Sequence, residues 1–291
     1  MKKLFLILFS VLTLFSCEKY IDMEIPDRGR KLVANCFFSD TGSVVVQVSM
    51  SRFILDNSDF NVVSDAIVVL YENGTAVDTL TETLAGQYIT NGFIPQMGEL
   101  YSLKIVKDTE EITASSSIPT TIPFEFIDTT RVADEYYEYL RFRIKINDPA
   151  DEDNYYMIGF DKEDTNNDPY YNGGIYFYSE EPFIESYNHH YGLFSDILFK
   201  GQSQILAFDL DLYNFDNDTN KVNISLFSIS KEMFMYLLTL QAQQNAGNSP
   251  FAEPVMVFSN IENGYGIFAG FSIYQDSITI PRLGNEWGII E

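Results

Sequence analysis

The stretch AIVVLYENGTAVDTL, residues 66–80, decides the fold class. Two apolar, β-branched runs flank Asn73-Gly74. A two-residue Asn-Gly link reverses one strand onto the next, because both residues tolerate the positive φ that such a turn needs. The pattern extends outward in both directions. SVVVQVSM (43–50) alternates apolar and polar residues, and GQYIT (86–90) and ELYSLKIVKD (99–108) each follow a glycine. Short alternating runs between tight turns predict an antiparallel β-sandwich of immunoglobulin-like or transthyretin-like kind over residues 31–118. Tyr88 and Tyr101 each stand just after a chain reversal, as a tyrosine does in many such modules.

SSSIPTTIPFEF (115–126) breaks the pattern. Pro119 and Pro123 cannot donate to a ladder, so residues 119–126 read as a linker. Beyond it, YLRFRIKIND (139–148) sets Leu140, Phe142, Ile144 and Ile146 against Arg141, Arg143 and Lys145, a half-buried strand with a basic outer face. Further β-like runs lie at 154–161, 173–180, 203–215 and 221–229, and closing strands surround Asn263-Gly264 in 254–280. One helix interrupts them, at about 230–246, with Ser230 as N-cap, apolar residues at helical spacing and Gly247 as the stop. Residues 127–291 are thus a second β-rich domain with one α-helix, and the fold class is mainly β.

The N-terminus reads differently. MKKLFLILFSVLTLFSC opens with Lys2 and Lys3, continues through twelve mostly apolar residues (4–15), and ends at Ser16-Cys17. That is an export signal; a membrane-spanning helix would need about 20 residues. Leu14, Phe15, Ser16 and Cys17 form a bacterial lipobox, in which the thiol of Cys17 takes a diacylglycerol and becomes the first mature residue. Two alternatives stand beside this: ordinary cleavage with Cys17 incidental, or a short uncleaved anchor helix. In the lipoprotein reading residues 1–16 are removed and 17–30 tether the body to the membrane. The mature chain then has 275 of the 291 residues, and its formal charge moves from −24 to −26 with the loss of two lysines. So acidic a body repels nucleic acid and anionic lipid surfaces. Cys36 in LVANCFF lacks a disulfide partner and reads as a small buried apolar residue.

No residue pattern assembles a catalytic set. His189 and His190 are the two histidines, adjacent in SYNHHYG, and neither HExxH nor GxSxG accompanies them. Asp164, Asn166 and Asp168 alternate in DKEDTNNDP (161–169), a spacing that lets oxygens converge on calcium. Pro169, however, stands where an EF-hand has glycine. DPADEDN (148–154) and NFDNDTN (214–220) are similar oxygen-rich turns, and Asx residues are also ordinary turn formers. The segment DPYYNGGIYFYSEEPF (168–183) offers Tyr170, Tyr171, Tyr176 and Tyr178 as an aromatic binding surface, with core burial as the plain alternative.

The lipobox, KYIDMEIP, KLVANCFFSD, DAIVVLYENG, DPADEDNYYMIGF and above all FAEPVMVFSNIENGYGIFAGFS (251–272) together resemble a Bacteroidota lipoprotein family catalogued as domain of unknown function 4249. The resemblance covers nearly the whole mature chain. It implies a cell-envelope lipoprotein, often encoded beside TonB-dependent outer-membrane receptors, and it carries no catalytic, metal or ligand residues onto this sequence. The expectation is a non-enzymatic lipoprotein of the outer membrane, accessory to a TonB-dependent transport receptor, with no cofactor beyond its acyl lipid. The alternative is a surface protein that binds, or hydrolyses, glycans or peptides.

Overall fold

The computed structural model describes residues 29–53, 56, 59, 61–133, 138–162, 174–211, 220–247 and 252–280. The described residues are mainly β, with several sheets and one α-helix. The first half contains β1 (Leu32–Phe38), β2 (Val45–Met50), β3 (Ile67–Glu72), β4 (Thr75–Thr79), β5 (Thr81–Leu84), β6 (Gln87–Ile89), β7 (Leu100–Lys107) and β8 (Glu110–Ser117). β3 and β4 are the predicted hairpin: Glu72 pairs with Thr75, and Asn73 and Gly74 adopt φ of 48° and 80°. One layer has the order β4-β3-β7-β8, and β1, β2, β6 and β5 lie in the facing sheet. Alternate side chains of both layers, among them Ala34, Phe38, Val46, Leu70, Leu103 and Ile105, fill one core. Cys36 is part of that core, and burial pushes its thiol far above the usual range.

Two tyrosines close this sandwich. Tyr88 and Tyr101 are fully buried, and each hydroxyl reaches backbone across a chain reversal. The Tyr88 hydroxyl donates to the Val63 carbonyl and accepts from the Ala66 amide, both at 2.9 Å. Tyr101 donates to Glu72 and accepts from the Gln96 amide, both at 2.7 Å. A buried phenol needs such partners, and here the need fixes the corners.

After β8 the chain runs without strand through residues 118–123 and enters β9 (Phe124–Ala133). β10 (Glu138–Asn147), β11 (Tyr155–Lys162), β12 (Phe177–Tyr178), β13 (Glu185–Tyr187), β14 (Tyr191–Ser195), a 3-10 turn (Asp196–Leu198), β15 (Ser203–Asp211), β16 (Asn220–Ile229), α1 (Lys231–Gly247) and β17 (Tyr265–Ile280) follow. The order β12-β15-β10-β9 makes a four-stranded layer. It faces β14, β11, β16 and the second half of β17 across a core of aromatic and branched residues, including Phe142, Phe160, Phe208 and Leu226. The basic outer face of β10 is neutralised strand by strand. Arg141 holds Asp209 of β15 through two bonds of 2.7 and 2.8 Å, Arg143 pairs with Asp128 of β9, and Lys145 pairs with Glu125 of β9 at 3.0 Å. These are directly opposed cross-strand partners, the sheet arrangement in which unlike charges support one another.

β17 joins the halves. Its first residues pair in parallel with β1, Val33 against Tyr265 through Phe38 against Gly270. From Phe271 to Ile280 it pairs antiparallel with β16. The two sandwiches therefore share one nine-stranded sheet, β13-β14-β11-β16-β17-β1-β2-β6-β5. The closing region contributes this one long strand rather than a hairpin: residues 254–260 carry no ladder, and Glu262 makes only an isolated bridge to Thr113. Asn263, at φ 61°, turns the chain into β17. Glycine is required along this strand. Gly266 sits at φ 110°, where a Cβ would run into the Ala34 carbonyl, and a Cβ on Gly270 would strike the Ser117 carbonyl.

α1 lies where the sequence predicts it. The Ser230 hydroxyl accepts from the Met233 amide at 3.3 Å, which is an N-cap. Met233 and Leu237 pack on Met157, Leu193, Ile267 and Ala269, on the face of the large sheet opposite the sandwich cores.

Candidate functional site

Cys17, the calcium candidates Asp164, Asn166 and Asp168, and the aromatic candidates Tyr170 and Tyr171 lie outside the described residues. Tyr176 and Tyr178 are described. They flank Phe177, whose ring enters the second core against Phe160 and Phe208. Alternation along the strand turns the two tyrosines outward instead, 56% and 67% exposed.

The hairpin between β13 and β14 brings the two histidines to this place. Asn188 and His189 hold φ of 50° and 61° at its tip. The His190 ring lies 4.2 Å from Tyr176, centroid to centroid, and His189 lies 6.1 Å away. Gly174 leaves room for the imidazole: a Cβ there would stand 2.8 Å from His190 Nδ1. That nitrogen is buried without a hydrogen-bond partner among the described residues. Among the described residues no group of three His, Cys, Asp or Glu side chains is placed to hold a metal ion. The arrangement is an aromatic-imidazole surface.

The oxygen-rich loop 148–154 spends its acceptors on the fold. Asp148 accepts from the Tyr156 hydroxyl at 2.5 Å and the Gly201 amide at 2.8 Å. Asp196 accepts from the Asn154 amide at 3.0 Å. A cleft of about 240 Å³ opens beside this loop, where the start of α1 meets both sandwiches. Two of its carboxylates are engaged as well: Glu232 accepts from the Ser116 hydroxyl at 3.0 Å, and Asp153 pairs with Lys200 at 2.6 Å. The carboxyl groups whose pKa moves, Asp153, Asp128 and Glu82, all move down. Lys200 holds the first, Arg143 the second, and the Asp65 and Gly86 amides the third. Each is a stabilised carboxylate.

A second pocket, of about 390 Å³, is open on the outer face of the large sheet, lined by Asp161, Asn223, Gln275, Asp276 and Ser277. It adjoins the histidine hairpin, because Asp161 bridges Gly174 and Gly159 pairs with Tyr191. The sequence holds Asn223 in VNIS and Gln275, Asp276 and Ser277 in YQDS. Asp161, Asn223 and Ser277 come into one row only once β11, β16 and β17 are in register.

The family comparison covers most of the chain. Residues 18–277 match the model of the family described as Domain of unknown function (DUF4249), and the chain belongs to that family. A search of curated proteins finds no match. Among solved structures, a "putative carbohydrate binding protein" from Bacteroides uniformis is similar at 11% identity and a TM-score of 0.19, over 86% of this chain and 98% of that one. A TM-score of 0.19 supports no inference from that protein to this one.

Proposed function

We propose that this protein is a non-enzymatic cell-envelope lipoprotein, held at the outer membrane by an acylated Cys17 and accessory to a TonB-dependent transport receptor. The observation that carries this reading is the junction LFSCEK (14–19), where an export leader ends at a lone cysteine. A single acyl chain binds marginally, whereas two or more give lasting attachment. Attachment confines the body near membrane partners and raises its effective concentration, so modest contacts suffice. The shared nine-stranded sheet supports the docking role, because two sandwiches joined through one strand present their surfaces in fixed relation. A second reading, capture of glycans or peptides at the surface, is favoured by the exposure of Tyr176 and Tyr178.

Labelling with radioactive palmitate tests the anchor: the wild-type chain takes up label and Cys17→Ser does not. Equal labelling of the two, or none in either, overturns it. Affinity purification of the acylated protein from native membranes tests the partner. An outer-membrane transport receptor co-purifies if the docking reading holds, and its absence refutes that reading.

A further inference from the structure

We infer that the outer face of β11, β16 and β17 is a binding site for a neutral glycan, centred on Asp161, Asn223 and Gln275. This takes its ligand class from the second reading above but places it on different residues. Three features carry it.

First, the two amides are oriented by the fold. Asn223 Nδ2 donates to Asp161 Oδ1 at 2.9 Å, and Gln275 Nε2 donates to Ser225 Oγ at 2.9 Å, with Ser225 itself buried. The Asp161 carboxylate can only accept, so it fixes which end of the Asn223 amide is oxygen, whereas the Ser225 hydroxyl holds the Gln275 amide in place by either end. The second oxygen of Asp161 and the carbonyl oxygen of Asn223 accept from no protein donor among the described residues, and the Ser277 hydroxyl stands in the same row. The pocket is thus rich in acceptors and calls for a ligand rich in donors, which sugar hydroxyls supply.

Second, the spacing suits a chain of sugar rings and not one ion. Asp161, Asn223 and Ser277 are directly opposed on three adjacent strands. At about 4.8 Å between strands the row spans about 10 Å, whereas a calcium ion gathers its oxygens within about 2.5 Å of itself. Asp161 and Asp276 also repel uronic or sulfated sugars, which selects neutral ones.

Third, an aromatic ring borders the row. The Tyr191 ring occupies the space over Gly159, where a Cβ would stand 2.8 Å from it. Asp161 follows Gly159 by two residues on the same face, so apolar C–H faces of a sugar can rest on Tyr191 while its hydroxyls reach the row.

Calorimetry tests this on the full-length protein, in a detergent without a sugar headgroup. The probes are malto-, xylo-, laminari- and mannohexaose, with oligogalacturonate and calcium chloride as controls. At least one neutral hexasaccharide is expected to bind, and Asn223→Ala or Gln275→Ala to weaken it by about five- to tenfold. Ser277→Arg, an exposed substitution with little effect on folding, is expected to block it. Tyr178→Ala should leave it unchanged. Binding of no neutral hexasaccharide, binding indifferent to all three row variants, or heat from calcium alone overturns the inference. Binding abolished by Tyr178→Ala but not by the row variants returns the ligand to the Tyr176/Tyr178 surface and overturns this site alone.

Discussion

The side-chain amide of Asn260 pairs with Phe268 as a length of backbone would. Its Oδ1 accepts from the Phe268 amide at 3.0 Å, and its Nδ2 donates to the Phe268 carbonyl at 2.7 Å and to Ser115 of β8 at 3.1 Å. At this point β17 has β1 on one side only, since its pairing with β16 begins at Phe271. One amide therefore satisfies backbone groups that would otherwise end unpaired inside the molecule, and ties β8 to β17.

Asn260→Ala removes all three bonds and leaves partly buried backbone groups unmet. A loss of about 2–4 kcal/mol is expected, read as a lower urea midpoint with unchanged slope. A loss below about 0.5 kcal/mol would mean that water replaces the amide.

Gly266→Ala combines a positive φ with a clash against the Ala34 carbonyl. It should cost at least about 3 kcal/mol or prevent folding. Gly74→Ala also places alanine at positive φ, but with nothing within 4 Å, and should cost about 1 kcal/mol. Far-UV circular dichroism during urea unfolding compares the two. Similar losses would contradict the close approach of β17 to β1.

Arg141 and Arg143 look equivalent in sequence and are not in space. The Asp209 side chain that Arg141 holds is 8% exposed, whereas Arg143 itself is 43% exposed beside Asp128. Arg141→Ala strands a buried carboxylate and should cost about 2–4 kcal/mol. Arg143→Ala should cost under about 1 kcal/mol. Thermal unfolding at neutral pH ranks them.

Tyr101 gives a signature at high pH. Burial disfavours its phenolate, and its pKa is pushed up to about 12. An unfolded tyrosine loses its proton near 10. Between the two the folded chain holds a proton that the unfolded chain has released, so this contribution to stability is full below pH ~10 and is lost as pH rises toward 12. Tyr101→Phe should be less stable at pH 7 by about 1–2 kcal/mol, yet lose less between pH 10 and 12. Urea midpoints at stepped pH measure both effects. A parallel alkaline decline in the two proteins would show that Tyr101 does not titrate there.

Local chemistry was readable from the residues themselves. Asn73-Gly74 announces a hairpin because only residues tolerant of positive φ make that turn. Ser230 announces a helix start because its hydroxyl can meet an orphan amide. Alternation in β10 announces one buried face and one basic face. The aromatic candidates Tyr176 and Tyr178 were readable as residues, but their exposure and their neighbour His190 were not. A two-residue strand carries no periodicity to show which face is covered.

The sequence by itself determined the helix, the Asn73-Gly74 hairpin and most of the strands, since each depends on residues close together in the chain. The strands expected around Asn263-Gly264 proved to be one long strand. Only the tertiary structure decided that β17 serves both sandwiches, that Asn260 stands in for backbone, and that Asp161, Asn223 and Ser277 share a row. These relationships join residues as far apart as Val33 and Tyr265. Strand register sets them, and it is fixed by what each face buries across the whole sheet and not by any local preference.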